Sequence, residues 1–123
     1  MLDGAAPFYR CYQTQIGRYI ATGAIEPKFY VAMCKALNLM DPIFADQMNR
    51  KNWPTMCKGV AAAIKGMDLD ILQRAVDTPD ACLSWVVPLG DVGKFGYMKA
   101  GQTILRDNGL TTVSAAPRFT PVE

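Results

Sequence analysis

The stretch Gly23-Ala24-Ile25-Glu26-Pro27-Lys28-Phe29-Tyr30 carries the chain from extended structure into helix. Proline suits the first helical position, because the N–H it lacks would have had no partner there. Upstream, Phe8 to Thr14 and Arg18 to Gly23 are short segments rich in Tyr, Ile and Thr, separated by Gln15-Ile16-Gly17. Gly17 supplies the permissive backbone of a hairpin loop, so an antiparallel strand pair is predicted. Alternation would place Tyr9, Cys11 and Gln13 on one face, and Phe8, Arg10, Tyr12 and Thr14 on the other.

Downstream, Phe29, Met33, Ala36 and Leu37 recur at helical spacing, with Ala32 on the same face. Asp41-Pro42 repeats the start signal and predicts a short helix to about Asn49. Asn52 is a suitable N-cap for a third helix with Pro54 in its first turn, a face of Met56, Val60, Ala63 and Ile64, and Gly66 as its stop. Asp68 opens a fourth helix with a stripe of Leu69, Leu72 and Val76, closed by Asp77-Thr78-Pro79-Asp80. Ala81 to Val87 reads as a strand. Gly90, Gly93, Gly96 and Gly101 interrupt a region that would otherwise be helical between Asp91 and Ala100. Thr103 to Leu105 and Leu110 to Val113 flank Asp107-Asn108-Gly109, a hairpin signal. The tail, with Pro117 and Pro121, is irregular. The expected class is α+β: an N-terminal antiparallel strand pair, three to four central helices and C-terminal strands.

The chain has 123 residues, half hydrophobic and a fifth charged, and it contains no histidine. That length implies one domain over 1–123 with a core of its own. A net charge of +2, with basic residues scattered, lacks the stripe of a nucleic-acid binder. Without histidine there is no Ser-His-Asp or Cys-His pair and no imidazole metal site. The four cysteines, Cys11, Cys34, Cys57 and Cys82, include no closely spaced zinc-type pair. Met1-Leu2-Asp3-Gly4 does not read as a signal peptide, and no apolar run approaches the ~18 residues of a membrane span. A cytoplasmic chain with reduced, mostly buried thiols is expected, with no nucleic-acid or membrane partner, no metal and no required cofactor.

Glu26 is the principal candidate site residue. Read as a structural group, it is a carboxylate favoured by the positive end of a helix. Read as a functional group, it is an acceptor or anion presented on a loop where a strand ends. Cys82 follows Asp80-Ala81, and a neighbouring acid does not activate a thiol, so Cys82 reads as structural at the start of a buried strand. Trp53 before Pro54 reads as a packing anchor. The late glycines match neither a P-loop nor G-x-G-x-x-G. Lys94, Lys99 and Arg106 read as a solvated face, with an anionic ligand as the alternative. An enzyme built on Glu26 or Cys82 alone lacks a partner base.

Several stretches together resemble one family. Asp3-Gly4-Ala5-Ala6-Pro7-Phe8-Tyr9, Tyr12, Thr14, Gly17-Arg18-Tyr19-Ile20 and Gly23-Ala24-Ile25-Glu26-Pro27-Lys28-Phe29-Tyr30 look like the corresponding parts of α-methylacyl-CoA racemases. These belong to CoA-transferase family III, the CaiB/BaiF-like proteins. The likeness continues through Gln47-Met48, Trp53-Pro54, Asp80-Ala81-Cys82 and Ala116-Pro117-Arg118-Phe119. Two features depart from it: Trp85 stands where the family usually has proline, and Gly90 to Gly101 is richer in glycine.

The resemblance implies the family's small domain without the large domain that carries most CoA contacts. It also implies that the catalytic His and Asp lie elsewhere, because no histidine is present here. Glu26 matches the family's glutamate beside the catalytic His, an auxiliary carboxylate that would orient or tune a base from another polypeptide. On this footing the chain would be catalytically incomplete alone. CoA or acyl-CoA would be a ligand, and a large-domain chain or a second copy would be a partner. The alternative is a recruited interaction or self-associating module with no thioester chemistry.

Overall fold

The computed structural model describes residues 1–94 and the strand residues 104–107 and 110–113. The chain divides into two compact units, residues 1–86 and 87–123. In the first unit, β1 (Cys11–Gln13) and β2 (Tyr19–Thr22) form the expected antiparallel pair, with Tyr12 opposite Ile20. The hairpin closes through the Thr14 N–H on the Arg18 carbonyl at 2.8 Å, and Gly17 turns at φ 80°. That positive φ is why glycine stands there.

A third strand, β3 (Leu83–Val86), pairs antiparallel with the other side of β2, placing Trp85 opposite Ile20. The sequence marked this strand but not its partner. The sheet order is therefore β1-β2-β3, with Tyr12, Ile20 and Trp85 in one row. Tyr12 and Ile20 are buried, while Cys11, Gln13, Tyr19 and Ser84 on the opposite face are exposed. The predicted alternation holds except at Arg10, which is exposed with its guanidinium over the Tyr12 ring.

Three helices follow β2 and complete an α+β unit. α1 (Pro27–Ala36) starts at the predicted proline, with Glu26 in extended conformation at its N-cap. It buries Tyr30 and Met33, and Leu37 just beyond its end. Asn38 then takes φ 52° and lets the Leu39 N–H return to the Cys34 carbonyl at 2.8 Å. Asparagine tolerates that left-handed position better than most side chains. The short helix expected to Asn49 is only a 3-10 turn, Pro42–Ala45, with Asp41 accepting the Ile43 N–H. It stops where Asp46 leaves helical conformation at φ −106°, ψ 74°.

α2 (Trp53–Gly66) buries Trp53, Met56, Val60 and Ile64, close to its predicted face. α3 (Leu69–Val76) corrects its stripe: Leu72 and Ala75 are buried, whereas Leu69 is exposed and Val76 half-buried. A helix this short turns only one narrow face inward, and Leu72 with Ala75 at i, i+3 defines it. Asn52 and Asp68 occupy N-cap positions, yet neither side chain makes the capping hydrogen bond expected of it. α2 packs on β1, α3 on β3, and α1 on α3. Phe8, Ile20, Met33, Leu37, Met56, Val60, Ile64 and Leu72 make the fully buried core.

One glycine in α2 is fixed by packing. A Cβ on Gly59 would sit 2.8 Å from Cζ of Phe44, a buried ring whose own carbonyl accepts the Tyr30 hydroxyl. Gly59→Ala gains about 1 kcal/mol of helix propensity but overpacks at about 1–3 kcal/mol. A net loss of stability is expected, read as a lower urea midpoint; an unchanged or higher midpoint would show that Phe44 yields freely.

In the second unit, a 3-10 segment, Leu89–Lys94, spans Gly90 and Gly93, two of the glycines expected to interrupt helix in this region. β4 (Ile104–Asp107) and β5 (Leu110–Val113) pair antiparallel with Asp107 opposite Leu110, as the Asn-Gly signal implied. Residues 95–103, the turn pair Asn108-Gly109 and the proline-containing tail lie outside the described residues.

Candidate functional site

The chemistry-bearing motifs of the first unit meet at the β2–α1 junction. The β2–β3 pairing ends with Thr22 opposite Leu83, so the next peptides need other partners. The Gly23 N–H donates to the Cys82 carbonyl at 2.9 Å, and the Ala24 N–H donates to the Phe8 carbonyl at 3.0 Å. The Gln47 side-chain amide donates to the carbonyls of Ile25 at 2.8 Å and Ala24 at 3.4 Å. Three sequence-distant segments thus hold the backbone that leads into Glu26. The helix begins with the Tyr30 N–H on the Glu26 carbonyl at 2.9 Å.

Glu26 itself is exposed, and its carboxylate makes no capping hydrogen bond to the helix. At the N-cap it still lies at the positive end of α1, and the carboxylate is presented to solvent by a fixed main chain. Cys82 lies beside this junction through its carbonyl only. Its thiol is exposed, with Ala81 and Leu83 taking the buried positions on either side. The expectation of a buried strand start is corrected here. Asp80 and Cys82 both have positive φ, 64° and 50°, so the turn before β3 rotates their side chains outward.

The four cysteines are free thiols, and the expectation that most are buried fails. Cys11 and Cys82 are exposed and the other two half-buried. Strict alternation beside buried Tyr12 puts Cys11 on the uncovered sheet face. Among the described residues no group of three Cys, Asp or Glu side chains is gathered to hold a metal. No described helix is long and apolar enough to cross a membrane.

Trp53 is the packing anchor the sequence suggested. Its indole N–H donates to the Gln47 carbonyl at 2.9 Å, and its ring meets Phe8 edge to face. Phe8 meets Tyr30 in the same way. Gln47 was visible in sequence only as part of the family likeness. No local pattern announces a side chain whose partners lie 22 and 23 residues upstream. The Trp85 indole N–H donates to the Gln73 side chain of α3 at 2.9 Å, and its ring lies under the Arg18 guanidinium. Lys94 pairs with Asp91 on the exposed surface. Lys99 and the side chain of Arg106 lie outside the described residues.

Open grooves also lie on the first unit, two of them lined by described residues. One of about 370 Å³ runs between α1 and the 3-10 turn, lined by Tyr30, Val31, Cys34, Met40 and Phe44 among others. Another of about 360 Å³ lies on the N-terminal segment and the uncovered sheet face, with Leu2, Tyr9, Arg10 and Cys11 in its lining. Glu26 lines neither. A carboxylate outside both grooves can orient or stabilise a neighbouring group, whereas an acid–base pair needs a second titratable group.

The architecture is therefore that of an α+β lobe that presents a carboxylate at a braced strand–helix junction. The chain belongs to CoA-transferase family III, whose profile matches residues 2–120. It is 38% identical to the human α-methylacyl-CoA racemase over 92 residues, 75% of this chain and 24% of that protein. It is 44% identical to a CaiB/baiF CoA-transferase family protein of Caenorhabditis elegans, covering 96% of this chain and 33% of that protein. In fold it is similar to the crystal structure of an aspartate-to-alanine mutant of Rv3272 from Mycobacterium tuberculosis. That match has a TM-score of 0.70 at 16% identity and covers 91% of this chain and 33% of the other. The chain thus spans between a quarter and a third of the length of these relatives.

Proposed function

We propose that these residues form the smaller lobe of a family III acyl-CoA racemase or CoA-transferase site. In this reading Glu26 is the auxiliary carboxylate that orients or tunes a base contributed by another polypeptide segment. The observation that carries it is the exposed Glu26 side chain on a backbone fixed from three directions, at the position where the family likeness is dense. The acid–base groups that move the α-proton of an acyl-CoA are not expected among these residues, which include no histidine.

Deuterium exchange at the α-carbon of a 2-methylacyl-CoA tests this directly. The purified chain should give none, and exchange should appear when a polypeptide carrying the family's larger lobe is supplied. Glu26→Gln should then lower the rate by about 10–100-fold, the range for a group that orients a reacting one. Exchange by the chain alone would end the proposal. Calorimetric titration with CoA and acyl-CoA reports whether the lobe contributes ligand contacts of its own.

One observation favours a second reading, a self-associating or interaction module. The outward sheet positions Cys11, Gln13, Tyr19, Ala21, Ser84 and Val86 carry no charge, and Tyr19 and Val86 are 44% and 38% exposed. An uncharged open sheet face commonly becomes an interface, and a symmetric dimer is the simplest way to cover it. Light scattering should then give a dimer that Tyr19→Lys dissociates; a monomer at high concentration, silent to acyl-CoA, counts against both readings.

A further inference from the structure

We infer that Gln47 is the positioning residue for Glu26, an assignment that rests on the proposed role of that carboxylate. The ladder that orders β2 ends at Thr22, four residues before Glu26, so the sheet does not fix the direction in which Glu26 leaves the backbone. α1 fixes only the peptide plane after Glu26, through the Tyr30 N–H on the Glu26 carbonyl at 2.9 Å. Between them lie two peptide units whose carbonyls have neither a strand nor a helix to bond. Gln47 takes both, with one amide nitrogen, at 2.8 Å to Ile25 and 3.4 Å to Ala24.

The consequence follows from peptide planarity. The Ile25 carbonyl and the Glu26 N–H belong to one rigid plane, and the Ala24 carbonyl and the Ile25 N–H to the one before it. Holding the Ile25 oxygen fixes the plane before the Glu26 Cα, and the Ala24 bond steadies the plane before that. The Tyr30 bond fixes the plane after Glu26, and the planes on either side of its Cα set where the Cα–Cβ bond points. Glu26 has no capping bond that would locate its side chain independently.

Gln47 is itself well anchored. It is 9% exposed, and its main-chain carbonyl accepts the Trp53 indole N–H at 2.9 Å. Trp53 in turn packs on Phe8, whose carbonyl accepts the Ala24 N–H. The clamp therefore connects the Glu26 loop to the core by two routes, one through the Gln47 side chain and one through Phe8. Only the first ends on the peptide plane that contains the Glu26 nitrogen.

Gln47→Met keeps the length and volume of the side chain and removes both amide donors. In the intact chain, amide hydrogen exchange and 15N relaxation separate positioning from general support of the fold. Losing these bonds should speed exchange at Ala24 and Ile25, whose N–H groups bond the Phe8 and Gly23 carbonyls, by about tenfold relative to Val60 and Ile64 in α2. The Glu26 order parameter should fall from about 0.85 toward about 0.6. Met33→Ala, a core truncation away from the clamp, serves as the control and should raise exchange across the core helices instead.

The inference is overturned if Gln47→Met leaves exchange at Ala24 and Ile25 and order at Glu26 unchanged, or changes them only in proportion to α2. Glu26→Gln keeps the backbone bonds and should leave the exchange pattern unaltered. A Glu26→Gln chain that supports full α-proton exchange with the larger lobe would sink the proposed role of the carboxylate, while the local effect of Gln47→Met would still be measured. With an active pair of lobes, Gln47→Met should lower kcat by more than it raises KM, since it misplaces a group rather than deleting a binding surface.

Discussion

Replacing Phe8 by alanine should cost about 3–5 kcal/mol, the largest loss expected from a single truncation in this chain. Phe8 is fully buried and lies at the meeting point of the first unit's elements. Its ring makes edge-to-face contacts with Tyr30 of α1 at 5.6 Å and Trp53 of α2 at 5.8 Å between centroids. Truncation removes the transfer energy of the ring and leaves a cavity between two elements that cannot close on it independently. A domain of this size has only about 5–15 kcal/mol of total stability, so the variant should be partly unfolded near physiological temperature. Urea denaturation followed by tryptophan fluorescence gives the number directly. A loss under about 1 kcal/mol would mean that the aromatic cluster is not the joint between α1, α2 and the N-terminal strand segment. Phe8→Leu keeps most of the apolar volume and should lose much less.

Alkaline pH should destabilise the fold steeply above about pH 10. Tyr12 and Tyr30 are nearly fully buried, and their hydroxyls donate to the carbonyls of Pro7 at 2.7 Å and Phe44 at 2.8 Å. Burial disfavours the phenolate and pushes both groups well above their ordinary value of 10.0. The Cys34 thiol beside Tyr30 is pushed above its ordinary 9.0, again by burial, partly offset by its hydrogen bond with Tyr30.

The direction of the effect follows from which state holds the protons. Above pH 10 the unfolded chain releases its phenol protons while the folded chain keeps them, so each unit of pH favours unfolding. The stability these groups contribute is intact below pH 10 and is lost progressively as pH rises toward their folded-state values. Each tyrosine adds a slope of about 1.4 kcal/mol per pH unit, so the pair approaches about 2.7 kcal/mol per unit. Urea midpoints between pH 8 and 12 measure the slope, and absorbance near 295 nm reports phenolate formation. Tyr12→Phe or Tyr30→Phe should each halve it, at the cost of about 1 kcal/mol at neutral pH for the lost hydrogen bond. A flat profile through pH 11 would show that these hydroxyls are open to water.

Much of the helical frame was legible before any coordinates. Pro27 and Pro54 mark helix starts because a missing N–H is harmless only in a first turn, and both sit there. Gly17 marks the hairpin because its φ of 80° excludes most side chains. The buried faces of β1 and α2 followed from periods of two and 3.6 along long enough runs. The same rule failed at α3, where a helix of eight residues has too few turns for its period to distinguish Leu69 from Ala75. The burial expected of the thiols failed for a different reason, since it rested on residue type and cysteine suits a core as readily as an exposed sheet face. The capping roles of Asn52 and Asp68 were plausible from residue type, yet cap bonds depend on rotamers that neighbours decide.

Glu26 was legible as a candidate, since a carboxylate between a strand and a proline-opened helix is a local fact. What fixes that carboxylate was not. The bonds from Gly23 to Cys82 and from Ala24 to Phe8, and the reach of Gln47 back to Ile25, join segments far apart in the chain. Sequence by itself determined the α+β class, the element order, the absence of histidine chemistry and the position of the acid. Tertiary structure alone decided that β3 joins β2, that Cys11 and Cys82 face outward, and that a buried glutamine holds the two peptide planes before Glu26. The physical reason is range: propensity and periodicity act between neighbours along the chain, whereas the orphan carbonyls beyond a strand end are satisfied by whichever donor folding brings to them.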